Sequence, residues 1–261
     1  MSTLNDSTNN DTPIDAATVI LLRESAQTPI EVLLLCRGNS KTVMNNAWVF
    51  PGGKMDRADA EQSTDIIDRL QRAPEHLLNE PGLQSHEAAS LFAAACRETH
   101  EETGVRLEPA ALVPWSRWIT PNEPSMMKKR FDARFFIAAM PSSQTATHDG
   151  VEATDSMWLT PRSALRDYVD EKITLAPPQI MSLAALARFN SIDECMQHGR
   201  NATPPCIQPG VVKKEDGSRI LTYPGDDEHP DDEQRLSGPT RLIWRGGHFE
   251  PENGFDSFFV D

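Results

Sequence analysis

The sequence predicts an α/β or α+β sandwich. Two observations carry that prediction. Short apolar runs rich in Val, Ile and Leu interleave with segments of helical periodicity, and no repeat with a fixed period marks a solenoid.

The runs at 17–22 and 30–36 read as a pair of buried strands separated by polar residues and Pro29. Ala47-Trp48-Val49-Phe50 reads as a third, stopped by a tight turn at Pro51-Gly52-Gly53. Residues 54–85 are polar and mixed, with a short helix at 64–72 followed by Pro74 and Pro81-Gly82. They read as an insertion, which joins two halves of a motif and is expected to act as a lid. Residues 86–103 form the strongest helix, free of Gly and Pro, with Ser85 to cap its start and Gly104 in the left-handed stop position. Strands are expected at 112–119, 131–139 and 156–159, and helices at 161–168, 177–189 and 192–197. The tail beyond 200 holds two hairpin signals, Asp216-Gly217 and Gly246-Gly247, around an acidic, Pro-rich linker. Its hairpins have two readings, a cap on the core or the interface of a homodimer. The expected organisation is a disordered tail at 1–13, a catalytic domain at 14–200 with its helical insertion at about 57–85, and a C-terminal hairpin extension at 201–261.

A formal charge of −14 argues against a nucleic-acid or anionic-membrane binder. A polyphosphate substrate stays compatible, because metals held by carboxylates invert the local field. The four cysteines, Cys36, Cys96, Cys195 and Cys206, form no C-x-x-C pair. With no secretory signal pattern, they read as reduced, unreactive thiols of a cytoplasmic protein. No run reaches the roughly 20 apolar residues of a membrane span.

The chemistry concentrates on the long helix. Glu98, Glu101 and Glu102 share a face, since residues three and four apart are neighbours on a helix. Carboxylates so close repel unless a cation sits among them, and a hard divalent ion such as Mg²⁺ suits them. A solvated charged face is the plainer reading of such a string. Register argues against it: Leu91 and Ala95 lie one heptad before Glu98 and Glu102, so the acidic stripe continues the margin of an apolar face. Upstream, Gly52 and Gly53 let the backbone pass close to a ligand or a facing helix. No histidine has metal-ligand spacing, and no nucleophile elbow or P-loop is present.

PGGK at 51–54 and RETHEETGV at 97–105 resemble the two halves of the Nudix box, G-x5-E-x7-R-E-U-x-E-E-x-G-U with U apolar. The second half matches at Arg97, Glu98, Glu101, Glu102, Gly104 and Val105, with Thr99 where U is expected. The halves are separated by the insertion, and the first glutamate is unassigned, Asp56 and Asp59 lying in its region. WITPNEP at 118–124, KRFDARFFIAAMP at 129–141 and LAPPQIMSLAALARF at 175–189 resemble the Nudix group that includes peroxisomal acyl-coenzyme A diphosphatases. LLLCR at 33–37 is a partial echo of that group's coenzyme A signature.

The resemblance implies an α-β-α sandwich around a mixed sheet. It also implies Mg²⁺- or Mn²⁺-dependent hydrolysis of a small-molecule substrate, a nucleoside diphosphate linked to a second moiety. That moiety makes the substrate coenzyme A or an acyl-coenzyme A, a dinucleotide, or a nucleotide sugar. Glu98, Glu101 and Glu102 become the metal ligands, Glu101 and Glu102 foremost, with orienting or deprotonating the water as the alternative role of Glu98. Arg97 holds a glutamate in place, and Glu152 is the candidate for a further loop carboxylate, with Asp149 and Asp155 nearby. Arg37, the Lys128-Lys129-Arg130 run and Arg134 are the candidate phosphate contacts, and Trp115 and Trp118 the candidate base-stacking rings. The competing class is a ligand-binding sensor that keeps the fold without catalysis.

Overall fold

The computed structural model describes residues 9–38, 46–122, 129–215 and 217–260. Its centre is an eight-stranded mixed sheet. The first strand, β1 (Ile14–Arg23), pairs parallel with β6 (Phe131–Ala139) along its whole length and antiparallel with β2 (Glu31–Arg37) at its far end. β5 (Val113–Ile119) and β8 (Cys206–Ile207) extend the β6 side, while β3 (Trp48–Val49) and β7 (Ala153–Leu159) flank β2.

Both faces of this sheet are covered, which is why its strands read as near-continuous apolar runs. Successive β1 side chains go to opposite cores. Val19 and Leu21 meet the long helix α4 (Ser85–Thr103) and its Leu91 and Phe92. Ile20 and Leu22 face α5 (Pro161–Val169), α6 (Pro177–Leu186) and α7 (Ile192–Asn201), with Leu165, Ile180 and Leu183. The expected α-β-α sandwich is therefore the observed one.

The Pro51-Gly52-Gly53 turn is a correction. Gly52–Lys54 is a fourth strand, β4, paired with Ala16 to Thr18 of β1. Gly52 has φ +153, and a Cβ there would lie 2.7 Å from the Thr18 Cα, so no other residue lets the segment lie flat on β1.

The insertion forms three short helices, α1 (Arg57–Glu61), α2 (Ser63–Leu70) and α3 (Pro74–Leu77). They pack on the outer side of α4, with Ile66, Leu70 and Leu78 buried against it. Gln84, not Ser85, is the residue before α4, and its N–H donates to Glu87 at 3.0 Å.

The tail pairs into a second sheet, in order β12 (His248–Pro251), β11 (Arg241–Arg245), β10 (Arg219–Thr222), β9 (Gly210–Lys213). Leu221, Tyr223, Leu242 and Phe249 of this sheet and its flanks are buried in the same core as α5 and α6.

The expectation of a disordered tail lies outside the described residues for 1–8, and so do Lys128 and Asp216. Residues 9–13 are docked: the Asn9 N–H donates to the Asn122 carbonyl, and the Asp11 carbonyl accepts from Arg130. Among the described residues no helix is long and apolar enough to cross a membrane.

Candidate active site

The last turns of α4 carry Arg97, Glu98, Glu101 and Glu102 against β4. Thr99, at the apolar position of the motif, is fully buried because its hydroxyl donates to the Ala95 carbonyl one turn back, at 2.7 Å. Gly104 ends the helix at φ +73, its N–H donating to the His100 carbonyl.

Arg97 is the hub. Its guanidinium makes a fork-to-fork pair with Asp59, Nε to Oδ1 and Nη2 to Oδ2, both 2.8 Å. It also donates to Glu98 at 3.0 Å, Glu101 at 2.9 Å and the Lys54 carbonyl at 3.1 Å. Asp59 is completely buried, and the Asp59 bonds raise the Arg97 pKa. Sequence reasoning left Asp59 unassigned, although a signal was present. Gly53 to Asp59 keeps the G-x5-E spacing of the box with aspartate for glutamate, so the insertion follows this acid rather than preceding it.

Glycine 53 and the carboxylates are interlocked. A Cβ on Gly53 would fall within the Glu98 carboxylate, so only glycine lets Glu98 lie on β4. Glu102 is buried and accepts from the Gly52 N–H at 2.9 Å. Burial pushes the Glu102 carboxyl up to about 7; the Gly52 N–H and Arg37 oppose that shift, and Glu98 and Glu152 reinforce it. Burial raises the Glu98 pKa as well, against Arg97. Among the described residues no three acidic, imidazole or thiol groups form an assembled metal cage. The reason lies in the bonding: Arg97 draws Glu98 and Glu101, and the Gly52 amide takes Glu102.

Arg97, Glu98 and Glu101 open into a cavity of about 570 Å³, whereas Glu102 lies behind its wall against the Gly52 N–H. Arg37, Lys54, Asp56, Arg97, Glu98, Glu101 and Glu152 line one part of it, and Trp118, Phe131, Phe135, Pro177, Pro178 and Leu221 another. Glu152 is thus brought to Glu98 and Glu102, as the electrostatics of both record. Its neighbour Asp149 instead folds the loop, accepting from the Val151, Glu152 and Ala153 amides. Asp155 lies in β7, paired with Cys36.

Three expected contacts lie elsewhere. Arg130 is buried and spends its guanidinium on the Thr120 and Asp11 carbonyls. Arg134 is buried among Glu80, Asp15 and Asp132, tying the insertion to the sheet. Trp115 packs edge-on to Phe189 and His198, away from the cavity. Trp118 does line it, while packing on Phe135 and Tyr223. Of the insertion read at 54–85, Lys54 and Asp56 line the cavity and residues 57–85 do not. Sequence reasoning missed Lys54, Gln179 and Leu221, which come to the wall through tertiary packing.

Residues 84–186, from the start of α4 to the end of α6, match the family model of the NUDT19 Nudix domain. Over that stretch, which includes Arg97 to Gly104, the chain is similar to Nudix hydrolases. The chain is similar to the acyl-coenzyme A diphosphatase NUDT19 of Xenopus laevis, 28% identical over 305 residues, covering 84% of this chain and 79% of that one. It is likewise similar to putative nudix hydrolase 7 of Caenorhabditis elegans, 28% identical over 244 residues, with 87% and 78% covered. A crystal structure of a NUDIX hydrolase from Alicyclobacillus acidocaldarius shares the fold, with TM-score 0.59 at 21% identity, covering 72% of this chain and 97% of that one.

Proposed function

We propose that the chain hydrolyses a phosphoanhydride bond in a nucleoside diphosphate joined to a long, partly apolar moiety, of acyl-coenzyme A type, with Mg²⁺ or Mn²⁺. One observation carries the reading: a single cavity joins clustered carboxylates to an aromatic and prolyl wall. The names of the Xenopus relative and its family model support the same substrate class.

The residues fit a divalent ion. Glu98 and Glu102 are acids held out of water beside further acids, with the Glu102 pKa raised to about 7, so a cation among them relieves both burial and repulsion. When bound, the ion supplies Lewis-acid stabilisation of charge on the phosphate oxygens. Glu98, Glu101 and Glu102 are the ligands in this reading, with Glu152 completing the set. Arg97, braced by Asp59, keeps Glu98 and Glu101 together. Glu98 is the group that takes the proton of the attacking water. Arg37 and Lys54, exposed at the cavity rim, meet the diphosphate.

The test is incubation of the protein with Mg²⁺ or Mn²⁺ and acyl-coenzyme A, coenzyme A, a dinucleotide polyphosphate and a nucleotide sugar, with products read by mass spectrometry. An adenosine bisphosphate and an acyl-phosphopantetheine are expected, only with metal, and Glu101→Gln should lower kcat by about 10²-fold or more. Turnover untouched by that substitution would remove the metal assignment. No turnover on the panel would remove the enzymatic one.

A further inference from the structure

A second cavity, of about 490 Å³, adjoins the first, and Ile119, Pro121 and Pro209 belong to both walls. Strand β5 ends at Ile119, and Pro209 lies between β8 and β9, so the two spaces meet where the sheet and the tail come together. None of Arg37, Lys54, Arg97, Glu98, Glu101 or Glu152 reaches the second cavity. A ligand spanning both therefore places there a part remote from the carboxylates.

The tail builds most of this groove, and its polar groups are spent within the protein. The His229 Nε2 lies 3.0 Å from the Gln208 carbonyl, and the His229 Nδ1 accepts from the Asp231 N–H at 3.0 Å. The Asp231 carboxylate pairs with Arg235 at 2.8 Å and accepts from the Glu233 N–H. Among the described residues no lysine or arginine lines the groove, so a phosphate finds no counter-charge there. The surface that remains is mostly apolar, made of Ile119, Val211 and the rings of Pro121, Pro209, Pro224 and Pro230. Proline offers no N–H and holds a fixed backbone angle, which makes a rigid wall that loses little freedom on binding. Such a wall suits an uncharged hydrocarbon chain.

We infer that this tail-built groove receives the far end of an acyl chain, entering past Pro209, and so sets which chain lengths the protein prefers. The inference rests on the hydrolytic reading above and adds a chain-length subsite outside the cavity which that reading uses.

The experiment titrates the metal-free full chain with butyryl- and decanoyl-coenzyme A by calorimetry, below micellar concentrations. Wild type is compared with Q208W and V211W, both in the groove and outside the first cavity, with melting temperatures to show that each folds. Gln208 is exposed, so its substitution spares the fold. Wild type should bind the decanoyl compound about tenfold tighter or more, since each buried methylene adds up to about fourfold. In the variants the bulky ring fills the groove, and the two affinities should come within about twofold. With Mg²⁺, the same substitutions should raise KM for decanoyl- relative to butyryl-coenzyme A and leave the ratio of kcat values in place. Equal affinity for the two chains in wild type, no binding of either, or an undiminished preference in either folded variant overturns the inference. Hydrolysis of both compounds with equal KM keeps the diphosphatase and removes the groove. A chain-length preference that Q208W abolishes, without hydrolysis of either compound, keeps the groove and removes the hydrolytic reading.

Discussion

A methyl group at Gly53 would occupy the place of the Glu98 carboxylate. Gly53→Ala is therefore expected to keep the fold and lower kcat by about 10²-fold, because it displaces the acid proposed to hold the metal. A melting curve beside a rate measurement checks this, and an active Gly53→Ala protein contradicts it. Glu102 makes stability depend on pH. Its folded pKa of about 7 lies above the ordinary 4.5, so folding favours the protonated acid. That stability is present in full below about pH 4.5 and is lost as pH rises through 7, by on the order of 3 kcal/mol. The metal-free melting temperature should fall across this window, recover on adding Mg²⁺, and fall less in Glu102→Gln. A flat wild-type profile would refute the assignment. The acids of α4 were legible because helical spacing fixes which side chains share a face. Asp59 was not, because the box calls for glutamate at the position this aspartate fills.

At the scale of elements, the insertion is a brace. Its α1 supplies Asp59 to Arg97, and the chain after α3 supplies Glu80 to Arg117 and Arg134. Asp59→Ala leaves the guanidinium without its fork partner and should cost about 3–5 kcal/mol by chemical denaturation. Ile66→Ala, on the α2 face against α4, should cost about 2–4 kcal/mol while substrate preference stays the same. A changed preference in Ile66→Ala would support the lid that the sequence suggested. The long strands and helices were readable from apolar period, and 131–139 coincides with β6, whereas β4 and the short helices α1 and α3 were not. The destinations of Arg130 and Arg134 were not readable, because a basic run looks the same whether it meets phosphate or a buried carboxylate.

At the scale of the molecule, two cores share one sheet, and the tail completes one of them. Leu221 belongs both to that core and to the cavity wall, and Pro209 joins it there. Ending the chain after Asn201 would expose the partners of Tyr223, Leu242 and Phe249 and open the apolar part of the cavity. The truncated protein is expected to aggregate or to melt well below the full chain, measured by light scattering and calorimetry; a truncated chain of equal stability would make the tail an independent appendage. The hairpins themselves were legible from their glycines. Their docking was not, since it depends on pairing between segments far apart in sequence.

The join between α2 and α3 passes through Gln71 and Arg72, both exposed, with no part in the cavity. The Asp59–Arg97 fork and the Ile66 and Leu70 packing bridge that join from either side. What unites the motif's two halves is thus attraction through space, not the peptide bonds between them. A protein cleaved at Gln71 should stay associated and keep working, and new termini or a grafted reporter belong there.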